Sequence, residues 1–218
     1  MDAPADFKDR LKASYDAMAP EYNTWTERHM HLRLKYRDEL CARAPKLTEQ
    51  AAARVLELGC GSGNFLQALF SKAGPQVTAA ANDLSDTQLD MARKALAEYA
   101  GRISYQAGDM GALTFPDGSL TAVVALYSLI HLTSPEQVEM LSKISGWLEP
   151  GGVLIANFSI EEGSNTIENW LHEKGWMYWS GLGAEGTKKK LAEVGLEIEK
   201  AEIEGDSEEK FLWVIGRK

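Results

Sequence analysis

Three alternating glycines, Gly59, Gly61 and Gly63, follow the apolar run Val55-Leu56-Glu57-Leu58 and precede a helical pattern from about Asn64 to Lys72. Glycine lets the backbone turn tightly and lets a ligand approach it closely. The helix N-terminus that follows offers unpaired N–H groups to an anion. The spacing is GxGxG and not the GxGxxG of dinucleotide sites, so a pyrophosphate is not the obvious guest; a plain strand-to-helix turn is the bland alternative. About 20 residues past the last glycine stands Asp83. A doubly wound nucleoside site places there the acid that grips the ribose hydroxyls. The bland use is a helix N-terminal acid, which Asp86 could serve equally. Gly108-Asp109-Met110 ends a third apolar run. A carboxylate there can accept from an exocyclic adenine amine while Met110 packs on the ring face. Tyr127-Ser128-Leu129-Ile130-His131 ends a fourth. His131 is the expected general base if the reaction needs one, because His titrates near neutrality. A structural or substrate-contacting His is the alternative.

These positions make sense only if a particular scaffold carries them. Strands are expected at Val55–Leu58, Gln76–Asn82, Ile103–Ala107, Leu120–Leu126 and Val153–Phe158, separated by helical patterns. Ser85-Asp86-Thr87-Gln88 and Ser134-Pro135-Glu136-Gln137 read as capping boxes that open two of those helices. The alternation predicts an α/β fold with an open, mostly parallel sheet and helices on both faces. After a helix near Ala184–Val194, strands Leu196–Ile203 and Phe211–Gly216 are joined by Glu204 to Lys210 alone. A parallel crossover needs about a dozen residues or more, so the last strand must run antiparallel, giving seven strands with a C-terminal hairpin. Upstream, Phe7, Leu11, Tyr15 and Met18 recur at helical spacing. Ala19-Pro20 is expected to break that helix, and Thr24-Trp25-Thr26-Glu27 to cap a second one running towards Ala44-Pro45.

Composition excludes several classes. The chain has 218 residues, 44% of them hydrophobic, and a net charge of −9. That suits one large domain and disfavours nucleic acid and anionic membranes, which need clustered Lys and Arg. Cys41 and Cys60 form no CxxC, and His29, His31 and His172 have no partners at ligand spacing, so no metal is expected. The N-terminal residues lack an apolar core, so no signal peptide is expected. A cytoplasmic protein, monomer or homodimer, is the resulting expectation.

The segment 160–183 reads as a substrate lid. It holds Trp170, Trp176, Tyr178 and Trp179 with several glutamates. Such density suits a flat or apolar small molecule, or a cation held by ring faces; a helix with its own apolar face is the competing reading. Trp25, Tyr127, His131, Trp170, Trp176 and Trp179 are the expected substrate contacts. Lys188-Lys189-Lys190 reads as a solvated helix face.

Taken in order, Val55 to Gly63, Asp83-Leu84-Ser85, Gly108-Asp109-Met110, Leu126 to His131 and Leu148-Glu149-Pro150-Gly151-Gly152 resemble the motifs of class I S-adenosylmethionine-dependent methyltransferases of the small-molecule type. Ser14-Tyr15-Asp16 through Tyr22 is similar to the N-terminal element that closes over the cofactor in many of them. The resemblance implies S-adenosyl-L-methionine as cofactor and S-adenosyl-L-homocysteine as product. It implies that Gly59, Cys60 and Gly61 face the methionine part. It further implies that Glu57 orients the loop or the cofactor amine, and that Asp83 holds the ribose with Leu84 beside the adenine. Gly108, Asp109 and Met110 would border the adenine end, Leu126 would contact the cofactor, and Tyr15 and Tyr22 would reach the carboxylate end. One domain over 1–218 is implied, with a lid (1–50), a cofactor-binding core (51–160), the insertion (160–183) and a C-terminal helix and hairpin (184–218). Two other readings stay open: a cyclase-type enzyme that binds the cofactor without methylating, and a non-catalytic partner module. The acidic-Pro-Pro-aromatic pattern of adenine-amino methylases is absent after the fourth strand, which ends in Tyr127-Ser128.

Overall fold

The computed structural model describes residues 3–218; Met1 and Asp2, where the leader and domain expectations begin, lie outside them. Strands β1 (Ala53–Leu58), β2 (Val77–Asp83), β3 (Ile103–Ala107), β4 (Leu120–Ala125) and β5 (Leu148–Ser159) are all parallel. A second hairpin is formed by β6 (Glu162–Glu168) and β7 (Trp176–Leu182), outside the main sheet. Strands β8 (Glu197–Gly205) and β9 (Lys210–Arg217) complete a seven-stranded sheet of order β3-β2-β1-β4-β5-β9-β8. β9 runs antiparallel to both β5 and β8, as the short connection demanded. Strand order reverses between β1 and β4, which opens a crevice at their carboxyl ends.

The helices explain themselves by burial. β4 is buried at every position, so it must be covered on both faces. One cover is made by α2 (Met30–Arg43), α3 (Asn64–Phe70) and α4 (Asp86–Ala95), through Leu32, Tyr36, Leu40, Phe65, Leu69 and Leu89. The other is made by α5 (Ser134–Trp147) and α6 (Gly183–Glu193), through Leu141, Ile144, Trp147 and Leu191. Tyr36 and Trp213 of β9 stack at 4.3 Å, tying α2 to the hairpin.

Local expectations are corrected in α1 and at two capping boxes. Helix α1 (Phe7–Thr26) runs through Pro20 without breaking. Pro20 removes one N–H, but burial of Leu11, Ser14, Met18 and Ala19 along α1 outweighs that loss. Thr24 therefore caps nothing; it lies inside α1 and donates its hydroxyl to the Pro20 carbonyl at 3.2 Å. The expected box at Ser134 sits one residue earlier: Thr133 is the N-cap and Glu136 the reciprocal acceptor. Ser85 does cap α4, accepting from the Gln88 N–H, yet the Gln88 side chain is buried with no partner among the described residues, so only half of that box forms. The segment 160–183, expected as a lid, folds around the β6–β7 hairpin, so the competing helical reading falls. No described helix is long and apolar enough to cross a membrane.

Candidate active site

The crevice at the β1/β4 switch point holds a cavity of about 660 Å³. Its floor is the glycine turn. Gly59, Gly61 and Gly63 have φ of +69°, +54° and +87°, a region L side chains rarely enter. A Cβ on Gly59 would stand 2.5 Å from the Ser128 Cβ, so this residue must also be small for lack of room. At the end of β2, Asp83 faces the cavity. Its Oδ2 accepts the Gly61 N–H at 2.8 Å and its Oδ1 accepts the Ser85 N–H at 2.9 Å. One carboxylate thus locks the glycine turn to the start of α4. Burial pushes its carboxyl up to about 6, against the lowering effect of those two donors.

Leu84, Gly108, Asp109 and Met110 line the same cavity, as do Tyr15 and Tyr22 from α1. Asp109 is less free than its motif implied. It accepts the Gly111 N–H at 2.9 Å and the Lys8 ammonium at 2.6 Å, and Lys8 also pairs with Glu136 at 2.5 Å. These contacts pin the start of α1 across the site. Asp16 does the same further along, taking the Ser85 hydroxyl at 2.7 Å and the Thr87 N–H at 3.1 Å. Glu57, Cys60 and Leu126 stand apart from this cavity. They border a smaller one on the other side of the glycine turn, with Tyr22, Asn23 and Arg33. Glu57 is buried with its Oε2 unpartnered among the described residues, and burial raises its carboxyl to about 8 despite nearby Arg33.

A second chamber, about 580 Å³, abuts the first; Tyr15, Tyr22, Tyr127 and His131 line both. Trp25, Trp170 and Trp179 form its walls. Trp176 does not line it. That ring is buried against α1 beneath the Arg10 guanidinium at 4.0 Å, because alternate β7 residues face opposite ways and Trp176 packs with Phe7, Leu11 and Met18. Tyr127 holds φ +56°, and the Asn157 side chain of β5 accepts its N–H at 2.6 Å, which supports the strained turn.

His131 lies in a short 3₁₀ turn, Leu129–His131. Its Nδ1 is 2.8 Å from the Tyr178 carbonyl, which can only accept, so Nδ1 carries the proton. Nε2 is then the acceptor for the Tyr15 hydroxyl, also at 2.8 Å. Burial drops the imidazole to about 4, so it is neutral at physiological pH.

Sequence reasoning missed Lys8, Asn82, Gln88 and Ser128 in the first cavity, Arg33 beside Glu57, and Ile130, Ser159, Glu209 and Phe211 in the second. Ser128 and Ile130 lay within a quoted motif, and Gln88 within a quoted capping box. The others reach the site from helix faces, strand ends and a distant turn.

Residues 55–152, which carry the glycine turn, Asp83 and the β4 edge, match a protein family described as a methyltransferase domain. Over that stretch the chain is similar to a methyltransferase domain. Among curated relatives, an O-methyltransferase of Aspergillus sclerotiorum is 29% identical over 109 residues, covering 50% of this chain and 40% of that protein. The 27-O-demethylrifamycin SV methyltransferase of Amycolatopsis mediterranei is 28% identical over 165 residues, covering 73% and 59%. The chain spans about two fifths of the length of the first curated relatives it matches. In fold, it resembles the 1,6-didemethyltoxoflavin-N1-methyltransferase of Burkholderia thailandensis, solved with 1,6-didemethyltoxoflavin and S-adenosylhomocysteine, with a TM-score of 0.74 at 16% identity over 100% of this chain and 91% of that one.

Proposed function

We propose that the protein is an S-adenosylmethionine-dependent methyltransferase acting on a small molecule. The observation that carries this reading is Asp83. It is a cavity-facing carboxylate at the β2 end, each oxygen held by one backbone N–H and each with acceptor capacity left for a ribose hydroxyl. The residues around it fit the cofactor. Gln88 and Ser128 border the same cavity with buried polar atoms that lack partners among the described residues, and Glu57 does so across the glycine turn. Buried polar atoms are normally paired, so unpaired ones gathered on one turn favour a polar ligand.

Asp83 would hold the ribose, with Leu84 and Met110 against the adenine and Asp109 accepting its amine. Gly59, Cys60 and Gly61 would face the methionine portion. Arg33 is suited to its carboxylate and Glu57, which would give up its proton as the ammonium arrives, to its amine end, near Tyr22. When bound, the sulfonium supplies an electrophilic methyl group. The protein's own contribution is alignment of the acceptor and exclusion of water. Helix α1 performs the second task through Lys8 and Asp16. The chamber walled by Trp25, Tyr127, Trp170 and Trp179 would take the acceptor. His131 is neutral, and its Nε2 is committed to Tyr15, so we read its part as positioning Tyr15 where the two cavities meet. Residues 160–183 would act as the acceptor's cover within a single domain, monomeric or dimeric, and cytoplasmic.

The test is a calorimetric titration with S-adenosylhomocysteine, followed by a small-molecule panel with mass analysis. Product heavier by one methyl group is expected. Failure to bind the nucleoside would overturn the proposal.

A further inference from the structure

The acceptor chamber has an uneven chemical lining. Its rings stand crossed: Trp25 and Trp170 lie 5.2 Å apart at 76°, Trp170 and Trp179 5.6 Å apart at 88°. Tyr22 lies 6.0 Å from Trp170 at 54°. Rings lining one space at such angles direct their faces in different directions, and ring faces attract cations. Among the described residues lining the chamber, none is Lys or Arg. One lining residue carries a formal charge near neutrality: Glu209, from the turn between β8 and β9.

The corner behind Glu209 is acidic. Arg28 serves three carboxylates, Asp206 at 3.5 Å, Glu208 at 2.6 Å and Glu209 at 3.7 Å, while also lying over Trp25 at 4.0 Å. His29 faces Asp206 at 3.3 Å, and burial lowers its tendency to hold a proton. Arg33 lies over the Tyr127 ring at 5.0 Å and donates to the Thr26 carbonyl at 3.0 Å. Three acids therefore meet one guanidinium in direct contact. An incoming anion would meet uncompensated negative charge, whereas an incoming cation would relieve it.

We infer that the methyl acceptor is an amine, held as its ammonium between the Glu209 carboxylate and the faces of Tyr22, Trp170 and Trp179. This rests on the function proposed above and narrows it to nitrogen. An ammonium has no free electron pair. To become a nucleophile it must break one N–H bond, leaving the pair on nitrogen and passing the proton to an acceptor. Two acceptors border the chamber, and His131 Nε2 is already taken by Tyr15. The proton therefore goes to a Glu209 oxygen, forming a carboxylic acid. Burial raises this carboxyl's proton affinity, which suits the task. Glu209 is thus both the anchor and the base.

The experiment compares phenethylamine with its neutral analogue 2-phenylethanol, read by quenching of the chamber tryptophans at pH 8 in saturating S-adenosylhomocysteine. The amine is expected to bind at least tenfold more tightly. Glu209→Gln should erase that preference while leaving S-adenosylhomocysteine affinity within twofold, which also shows that the variant is folded. Equal binding of the two probes, a preference that survives Glu209→Gln, or no detectable quenching by either probe would overturn the inference. Should the amine preference hold while S-adenosylhomocysteine fails to bind in a separate titration, the cofactor reading falls and the cation site stands.

Discussion

The Tyr15 hydroxyl meets His131 Nε2 at 2.8 Å across 116 positions of sequence, and the opposite ring nitrogen is held by the Tyr178 carbonyl of β7. One imidazole thus joins α1, the β4 edge and the β6–β7 hairpin at the boundary between the two cavities. A side chain bonded on both nitrogens acts through its partners, so Tyr15→Phe and His131→Ala should each lower turnover about tenfold at saturating cofactor. The double variant should be little worse than either. Additive losses would show that the two act separately.

The same ring makes stability depend on pH. An unfolded His binds a proton near 6.5, whereas folded His131 resists protonation until about 4. Below 6.5 the unfolded state binds more protons, so this group removes stability as pH falls from 6.5 to about 4 and has no further effect below. Denaturant melts of wild type and His131→Gln should therefore diverge across that window, with the wild type losing more. Parallel pH curves would contradict the neutral, doubly bonded imidazole.

Asp83 titrates in the opposite sense. Its carboxyl, raised to about 6, is protonated below that pH in the ligand-free fold, and ribose hydroxyls need the carboxylate. S-adenosylhomocysteine affinity should rise roughly tenfold between pH 5 and pH 7, as the ionised fraction does. Asp83→Asn should flatten this dependence. An unchanged slope in the variant would assign the proton elsewhere.

Gly59 tests the glycine turn. Gly59→Ala places a Cβ against Ser128 and forces φ +69° on an alanine, so it should cost on the order of 1–3 kcal/mol of stability and most of the nucleoside affinity. Adding Ser128→Gly removes the collision but not the strained φ, so recovery should be partial. Full recovery would mean that the backbone angle is not needed.

Ser14 tests the docking of α1. Its hydroxyl accepts the Trp176 N–H at 2.8 Å and donates to the Lys174 carbonyl at 3.3 Å. Ser14→Ala strands a buried N–H, which should cost about 1–3 kcal/mol and speed limited proteolysis of α1. A wild-type digestion pattern would show that α1 is held mainly by Lys8 and Asp16.

Most of the sheet was legible because each strand is a short apolar run ended by glycine or a turn, as in Val55–Leu58 before Gly59. The site residues at those strand ends were legible for the same reason: topology alone brings Asp83, Asp109 and Tyr127 to one edge. The β6 strand was not. Glu162–Glu168 is almost wholly exposed, so no alternating burial marks it. Its partner β7 is buried at most positions and carries no period that separates strand from helix. Pro20 misled because a local rule was overridden by packing that involves Met18 and Ala19. Lys8, Arg33, Gln88 and Glu209 were illegible because their place depends on how α1, α2, α4 and the β8–β9 turn dock, which local patterns do not encode.

The central claim is that the β1/β4 crevice binds S-adenosylmethionine through the Asp83 carboxylate. Calorimetric titration of S-adenosylhomocysteine into wild type and Asp83→Ala at pH 7.5 addresses it directly. Saturable one-to-one binding by the wild type, weakened at least thirtyfold in the variant, is the predicted result. Equal affinity in the two proteins, or no heat of binding in the wild type, would contradict it.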